Sequence, residues 1–269
     1  MYLLFEAYSM NKFQDIKSFT FFIGYPRSGH SLLGACLDAH PNAIISHELD
    51  ALALIKNGMS RDNLFEAILK KSKAFYKDGS QWSGYAYRIP GMWQGSFESL
   101  EVIGDKRGGG SAKHLEDDNS LLEKVKVLAP NYKMIHVVKN PFDCISTSIQ
   151  KQEQIQERIF SKEDHQRKIE EFFSRAKTIS AIIKKEPDHV STIRYENLIR
   201  EPGKVLTELC SYLGLVARED YINACASIIW PTGRPSRQRS GIWESSLIHE
   251  VQIQIEQFDF FKGYTFHSE

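Results

Sequence analysis

SFTFFIGYPRSGHSLLGACLD, residues 18–38, sets an unbroken apolar run against a turn bounded by Gly24 and Gly29 and then a helix-like segment. A strand that passes through a glycine turn into a helix aims several unpaired N–H groups, and the positive end of the helix dipole, at one point. That point is an anion site. In the nucleotide-triphosphate loop, G-x-x-x-x-G-K-[S/T], a lysine follows the second glycine. Here the residue is His30, and the cation comes earlier, at Arg27, with hydroxyls at Ser28 and Ser31. The loop is read as built for an anion other than a magnesium-bound triphosphate. The plainer alternative is an ordinary strand-to-helix turn with Ser28 as its cap.

Working outward, strand-like and helix-like segments alternate: EVIGD then NSLLEKVKVLA, MIHVVKN then DCISTSIQ, VSTIRY then KVLTELCSYLGL. Apolar runs without polar alternation belong to strands covered on both faces, so the expected fold is a single α/β domain with a P-loop-like central parallel sheet flanked by helices. Ligands of such sheets sit at the carboxyl ends of the strands, where Arg27, Asp105, Lys139 and Tyr195 fall. Residues 50–100 break the pattern with a helical stretch and then the aromatic GSQWSGYAYRIPGMWQGS, read as an insertion that shapes an acceptor region. A long polar helix is expected over about 152–185, and an arginine-rich loop that caps the ligand over 230–245.

The chain has 269 residues, with 34 Lys and Arg against 34 Asp and Glu, so no general field draws it to nucleic acid or anionic lipid. Any anion site must be local. No run approaches the roughly 20 apolar residues of a membrane span, and the start of the chain lacks the pattern of an export signal, which together give a cytoplasmic expectation. Cys36, Cys144, Cys210 and Cys225 are scattered without C-x-x-C or histidine at metal spacing. They are expected to be buried or free thiols, with no metal site.

A second anion pattern is HVVKNPFDCISTSI. A strand brings Lys139 to its end, Pro141 opens the next helix, and Ser146, Thr147 and Ser148 lie inside it. Alone it is weak, since helix hydroxyls often bond back to a carbonyl. Together with YPRSGHSLL, RYENLIREPG and RQRSG, it resembles the sulfotransferase family, which uses 3′-phosphoadenosine-5′-phosphosulfate and releases adenosine 3′,5′-bisphosphate. The resemblance runs from about Phe21 to Trp243. It implies that Arg27, Ser28, Gly29, His30 and Ser31 hold the 5′-phosphosulfate and that Lys139 and Thr147, or Ser146 or Ser148, hold the 3′-phosphate. Tyr195 would lie against adenine, and Arg237 or Arg239 with Gly241 would cap the 3′-phosphate. Lysine at position 139 departs from the family's arginine and offers a point charge without a fork.

LDAHPNAIISHEL, residues 37–49, is similar to the tyrosylprotein branch and implies Glu48 as general base, with His47 as the fallback. On an extended segment the two would point opposite ways, so only one should face the reacting group. Glu48 as a cap of the following helix is the bland alternative. GDKR implies that Lys106 neutralises charge on the sulfuryl oxygens and the leaving group. The expected reaction is in-line, metal-independent transfer to a hydroxyl of a small molecule or glycan, the acceptor and the oligomeric state being unspecified. Two rivals stand beside it. A P-loop kinase or nucleotide hydrolase would use Asp105 near magnesium. A catalytically inactive nucleotide-binding protein would keep the fold alone.

Overall fold

The computed structural model describes residues 13–229, 235–239 and 241–268. A five-stranded parallel sheet has the order β2-β5-β1-β6-β7. Its strands are β1 (Ser18–Gly24), β2 (Ala43–His47), β5 (Val102–Lys106), β6 (Tyr132–Val138) and β7 (Val190–Arg194). Alternate residues of the buried runs face opposite sides, as pleating requires. Phe19, Phe21, Ile23 and Met134 join one core with Phe172 and Phe173, while Phe22, Ile45, Ile135 and Val137 join the other with Leu33, Leu206 and Leu209. The doubly covered sheet expected from the apolar runs is the one found.

Eleven α-helices lie among the described residues. They are α1 (His30–Asp38), α2 (Ala51–Lys56), α3 (Arg61–Lys77), α4 (Gly108–Asp117), α5 (Leu121–Leu128), α6 (Pro141–Gln156), α7 (Lys162–Lys185), α8 (Tyr195–Arg200), α9 (Pro202–Leu213), α10 (Glu219–Ser227) and α11 (Ser245–Ile255). The single polar helix expected over 152–185 is two. Glu157 takes φ 51° and ends α6, and Ser161 with Asp164 forms a reciprocal capping box that starts α7. α7 is also more than a solvated face, since Ile169, Phe172, Phe173, Ala176 and Ile179 bury one side of it.

Of the elements without a separate signal in the sequence reading, two bear on the site. One is β2, whose five residues AIISH are buried throughout and pair in parallel with β5, His47 opposite Lys106. The other is α4, which opens on three glycines. Within 50–100 the chain forms α2, α3 and a small antiparallel hairpin of β3 (Gln81–Trp82) and β4 (Tyr85–Ala86). Ser83 and Gly84 both have positive φ, as a two-residue hairpin turn demands. The four cysteines are buried and unbridged, and no helix among the described residues is long and apolar enough to cross a membrane.

Candidate active site

The carboxyl ends of β1, β5 and β6 converge on the loop between β1 and α1. Gly29 is the N-cap of α1 at φ 99°, and Arg27 is held at φ 70°. Left-handed Arg27 is a costly conformation for a non-glycine residue, and it lets the chain curl so that successive N–H groups converge. Ser28 does not cap α1: its buried hydroxyl lies 2.9 Å from His30 Nε2. The hydroxyl expected to face an anion is turned inward, and the Ser28 N–H donates to Tyr25 O at 3.3 Å, so the amides from Gly29 onward remain for that role.

His30 also turns inward. Its ring meets Phe22 edge-on and fills a socket floored by glycines. A Cβ on Gly108 would fall 2.1 Å from His30 Nε2, and one on Gly24 would fall 3.1 Å from the same atom. A Cβ on Gly109 would press on Pro26 at 3.0 Å. Gly108 and Gly109 at the start of α4 are therefore explained by close approach to the loop, at the cost in helix propensity that glycine carries, while a Cβ on Gly110 would meet Arg107 Nε at 2.5 Å.

Lys106 lies at the end of β5 with its side chain 1% exposed. Its stem crosses α1 where Gly34 leaves room, since a Cβ there would be 2.7 Å from Lys106 Cγ. Its ammonium donates to Glu48 Oε1 at 2.7 Å and Ser31 Oγ at 3.0 Å, and lies 3.2 Å from His47 Nε2. Burial pulls Lys106 below the ordinary lysine value, and the Glu48 carboxylate opposes that. Both His47 and Glu48 thus reach one atom, contrary to the expectation that only one would face the site. The reason is that Glu48 is not extended. It sits at φ 60°, just past the end of β2.

Asp105 imposes that turn. One of its oxygens accepts from Ser46 Oγ (2.8 Å) and Leu49 N (3.0 Å), the other from Asp50 N and Ala51 N (both 3.0 Å). The carboxylate is 1% exposed and engaged by four donors, so it braces the turn and is not placed as a magnesium ligand. The same contacts take the amides at the start of α2, where Glu48 would have had to act as a cap. The LDAHP string works similarly. Asp38 accepts from Ile45 N, Ser72 Oγ and Gly95 N, and His40 Nδ1 accepts from Asn42 N. Together they set the passage from α1 into β2.

An aromatic wall stands beside Lys106. His47 stacks on Phe75 at 4.2 Å and 7°, meets Trp82 edge-on at 5.1 Å, and lies 6.0 Å from Tyr87. Lys106 Nζ is 5.9 Å from the centre of the Trp82 ring. Tyr87 neighbours Ser31 and Arg27, which offset the upward push of burial on its phenol. Trp82 and Tyr85, on the hairpin, are 43% and 64% exposed. Phe75 drew no notice in the sequence; a phenylalanine in an amphipathic helix looks like any core residue.

At the second motif Pro141 follows the N-cap Asn140, whose side chain accepts from Phe142 N. Glu196 accepts from Asn140 N at 3.1 Å and from the Tyr264 hydroxyl, so the glutamate of RYENL steadies the segment that carries Lys139. Lys139 Nζ is 4.8 Å from the Tyr195 ring centre, and that ring lies against Gly29, where a Cβ would come within 2.3 Å of Cδ2. Lys139 and Tyr195 thus border the loop. Ser146 donates to Phe142 O and accepts from Trp243 Nε1, while Thr147 donates to Ser236 Oγ at 2.9 Å. Ser148 is half-buried one residue on.

Arg237 needs correction as a phosphate cap. Its side chain, 2% exposed, pairs with Asp143 at 2.6 Å and donates to the carbonyls of Phe266 and Ser268. Its fork is committed to tying α6 to the chain's end. The Arg239 side chain lies outside the described residues, and Gly241 has open space around its Cα.

Burial holds the His30, His47 and His136 imidazoles neutral, each lowered to about 3. The unfolded chain takes up those protons near 6.5, so their contribution is full above that value and is lost as pH falls towards 3. Asp38, raised to about 7 by burial, and Asp105, also raised, work in the opposite sense. The net expectation is a stability that falls by roughly 1–3 kcal/mol per pH unit between about pH 6.5 and 4. Urea unfolding midpoints at pH 7, 6 and 5 check it; a flat profile would overturn the expected excess of the imidazole contribution over that of Asp38 and Asp105.

The chain belongs to the sulfotransferase family, whose family model matches residues 20–219. It is an enzyme of sulfuryl transfer. No curated protein matches it. Among solved structures it is similar to the sulfotransferase domain of the Synechococcus PCC 7002 olefin synthase, with TM-score 0.51 and 19% identity over 88% of each chain. It is also similar to the sulfotransferase domain of the curacin biosynthetic pathway, with TM-score 0.55 and 16% identity over 90% of this chain and 97% of that one. A third is sulfotransferase STF9 from Mycobacterium avium, with TM-score 0.55 and 10% identity over 96% and 80%. At these identities the likeness is one of fold.

Proposed function

We propose that the chain transfers a sulfuryl group in line from 3′-phosphoadenosine-5′-phosphosulfate to a hydroxyl of a small molecule or glycan, with Glu48 as general base and without a metal. The observation that carries this reading is the buried Lys106 ammonium bridging Ser31 of the anion loop to Glu48. It sets a fixed positive charge between the place for a donor anion and a carboxylate that can take a proton.

The residues present fit such a donor: loop amides with Arg27 and Lys106 suit a sulfated phosphate, and Lys139 beside Tyr195 suits a second phosphate near an aromatic face. When bound, the donor supplies a sulfuryl group on a bisphosphate leaving group. Arg27 and the amides of Gly29, His30 and Ser31 bind and orient that anion, and Lys106 offsets charge that grows on its oxygens as transfer proceeds. Glu48, with 28% of its side chain exposed, accepts the proton of the attacking hydroxyl at a carboxylate oxygen. Phe75, Trp82 and Tyr87 give the acceptor an apolar wall that limits water around the hydroxyl. The likeness to the tyrosylprotein branch bears on the position of Glu48 and leaves the acceptor open.

The kinase rival is weakened by the same geometry, because Asp105 is engaged by four donors and His30 turns away from the loop's mouth. A thermal melt tests the choice. Adenosine 3′,5′-bisphosphate without magnesium should raise the melting temperature, and protection by magnesium-ATP alone would overturn the reading. Bisphosphate protection without turnover on any acceptor, in a screen with radiolabelled donor, would favour an inactive binding protein. Replacing Lys139 by Ala should weaken the 3′,5′-bisphosphate by about 10- to 100-fold, as expected for loss of a charge-assisted contact, and the 5′-monophosphate much less. Equal losses in calorimetry would remove Lys139 from the 3′-phosphate.

A further inference from the structure

The base assignment leaves His47 without a task, yet it is 5% exposed and lies in the centre of the cluster. An ammonium has three N–H donors and no lone pair. Lys106, almost wholly removed from water, has three partners on three parts of the chain: Ser31 on α1, His47 on β2 and Glu48 in the turn after it. For the 3.2 Å contact with His47 to be a hydrogen bond, the nitrogen must accept. Nε2 is then unprotonated and the ring proton is on Nδ1.

We propose that His47 is a positioning residue for Lys106 and not a base: its Nε2 accepts from the ammonium and fixes Nζ between the loop hydroxyl of Ser31 and Glu48. A nitrogen whose lone pair is already engaged by a cation cannot collect the acceptor's proton, and protonating it would place two cations in contact. The ring itself is held from behind by the parallel stack on Phe75 and from the side by Trp82. Cross-strand pairing of His47 with Lys106 fixes their backbones as neighbours. Geometry and pairing thus make His47 a third anchor that also ties the lysine to the aromatic wall. The neutral state that burial and Lys106 impose on the imidazole agrees with this.

The inference rests on the transfer reading above, and its test separates the two. His47→Gln keeps a carbonyl acceptor within reach of Nζ but cannot take a proton, whereas His47→Phe keeps the stacking ring and loses the acceptor. Turnover of labelled donor should stay within about 5-fold of wild type for Gln and fall about 10- to 100-fold in kcat for Phe, the scale of a misplaced catalytic group. Bisphosphate affinity should be unchanged in both. If both variants lose activity alike, His47 is a base; if Phe is fully active, the ring only packs. Either result overturns the proposal. Nitrogen NMR of the wild-type protein should find His47 protonated at Nδ1, and a proton on Nε2 would also sink it. If wild type neither binds the bisphosphate nor turns over donor, the transfer reading fails, and this inference fails with it.

Discussion

Glu48→Gln should lower kcat by about 10²- to 10⁴-fold, the range that general-base catalysis supplies, while the affinity for adenosine 3′,5′-bisphosphate stays near that of wild type. The glutamine can keep an oxygen near Lys106 Nζ, so the cluster is preserved and the loss is in the proton acceptor. Single-turnover measurement with bound donor isolates the chemical step from product release. Full turnover with normal bisphosphate binding would remove Glu48 from the role. A parallel loss of nucleotide affinity would instead assign it to holding Lys106, whose charge has Glu48 as its ion-pair partner inside the protein.

The second large effect is on stability. Asp143→Ala should cost about 3–5 kcal/mol, because it strands the buried guanidinium of Arg237 without its counter-charge. Asp143 accepts from Arg237 Nη1 at 2.6 Å, from Arg237 N at 2.9 Å and from Ser236 Oγ at 3.2 Å, with both side chains of the ion pair nearly inaccessible. For a protein of this length the expected fall in melting temperature is about 10 °C. Bisphosphate protection should shrink too if α6 holds the 3′-phosphate as proposed, since Ser236 bonds Thr147 on that helix. A variant that melts within 2 °C or so of wild type would show that the carbonyls of Phe266 and Ser268 satisfy Arg237 unaided, a shift of less than about 1 kcal/mol.

What was legible in the sequence was mostly local. An apolar run, a glycine turn and a following helix announce β1 and α1, and proline after an asparagine announces α6. The ends of β1, β5 and β6 bring Arg27, Lys106 and Lys139 to one loop, as the strand-like runs in the sequence suggest. What was not legible depends on partners far along the chain. Nothing in HPNAIISHEL signals that Asp105 will bend the turn so that Glu48 and His47 meet at one ammonium. RQRSG does not reveal that its first arginine is claimed by Asp143. The inward turn of His30 is likewise hidden, because the glycine that makes room for its ring, Gly108, lies on another helix. The break between α6 and α7 is hidden because its capping box, Ser161 and Asp164, lies inside a long polar stretch of helix-forming composition.

Asp105 also bears on how such a protein can change over generations. It is a staple for the turn that carries Glu48, with every contact directed at the chain itself. Freeing it for another ligand would loosen the proposed base in the same step. New chemistry is more accessible at the aromatic hairpin, whose two short strands pair with each other across the Ser83–Gly84 turn and stand apart from the five-stranded sheet.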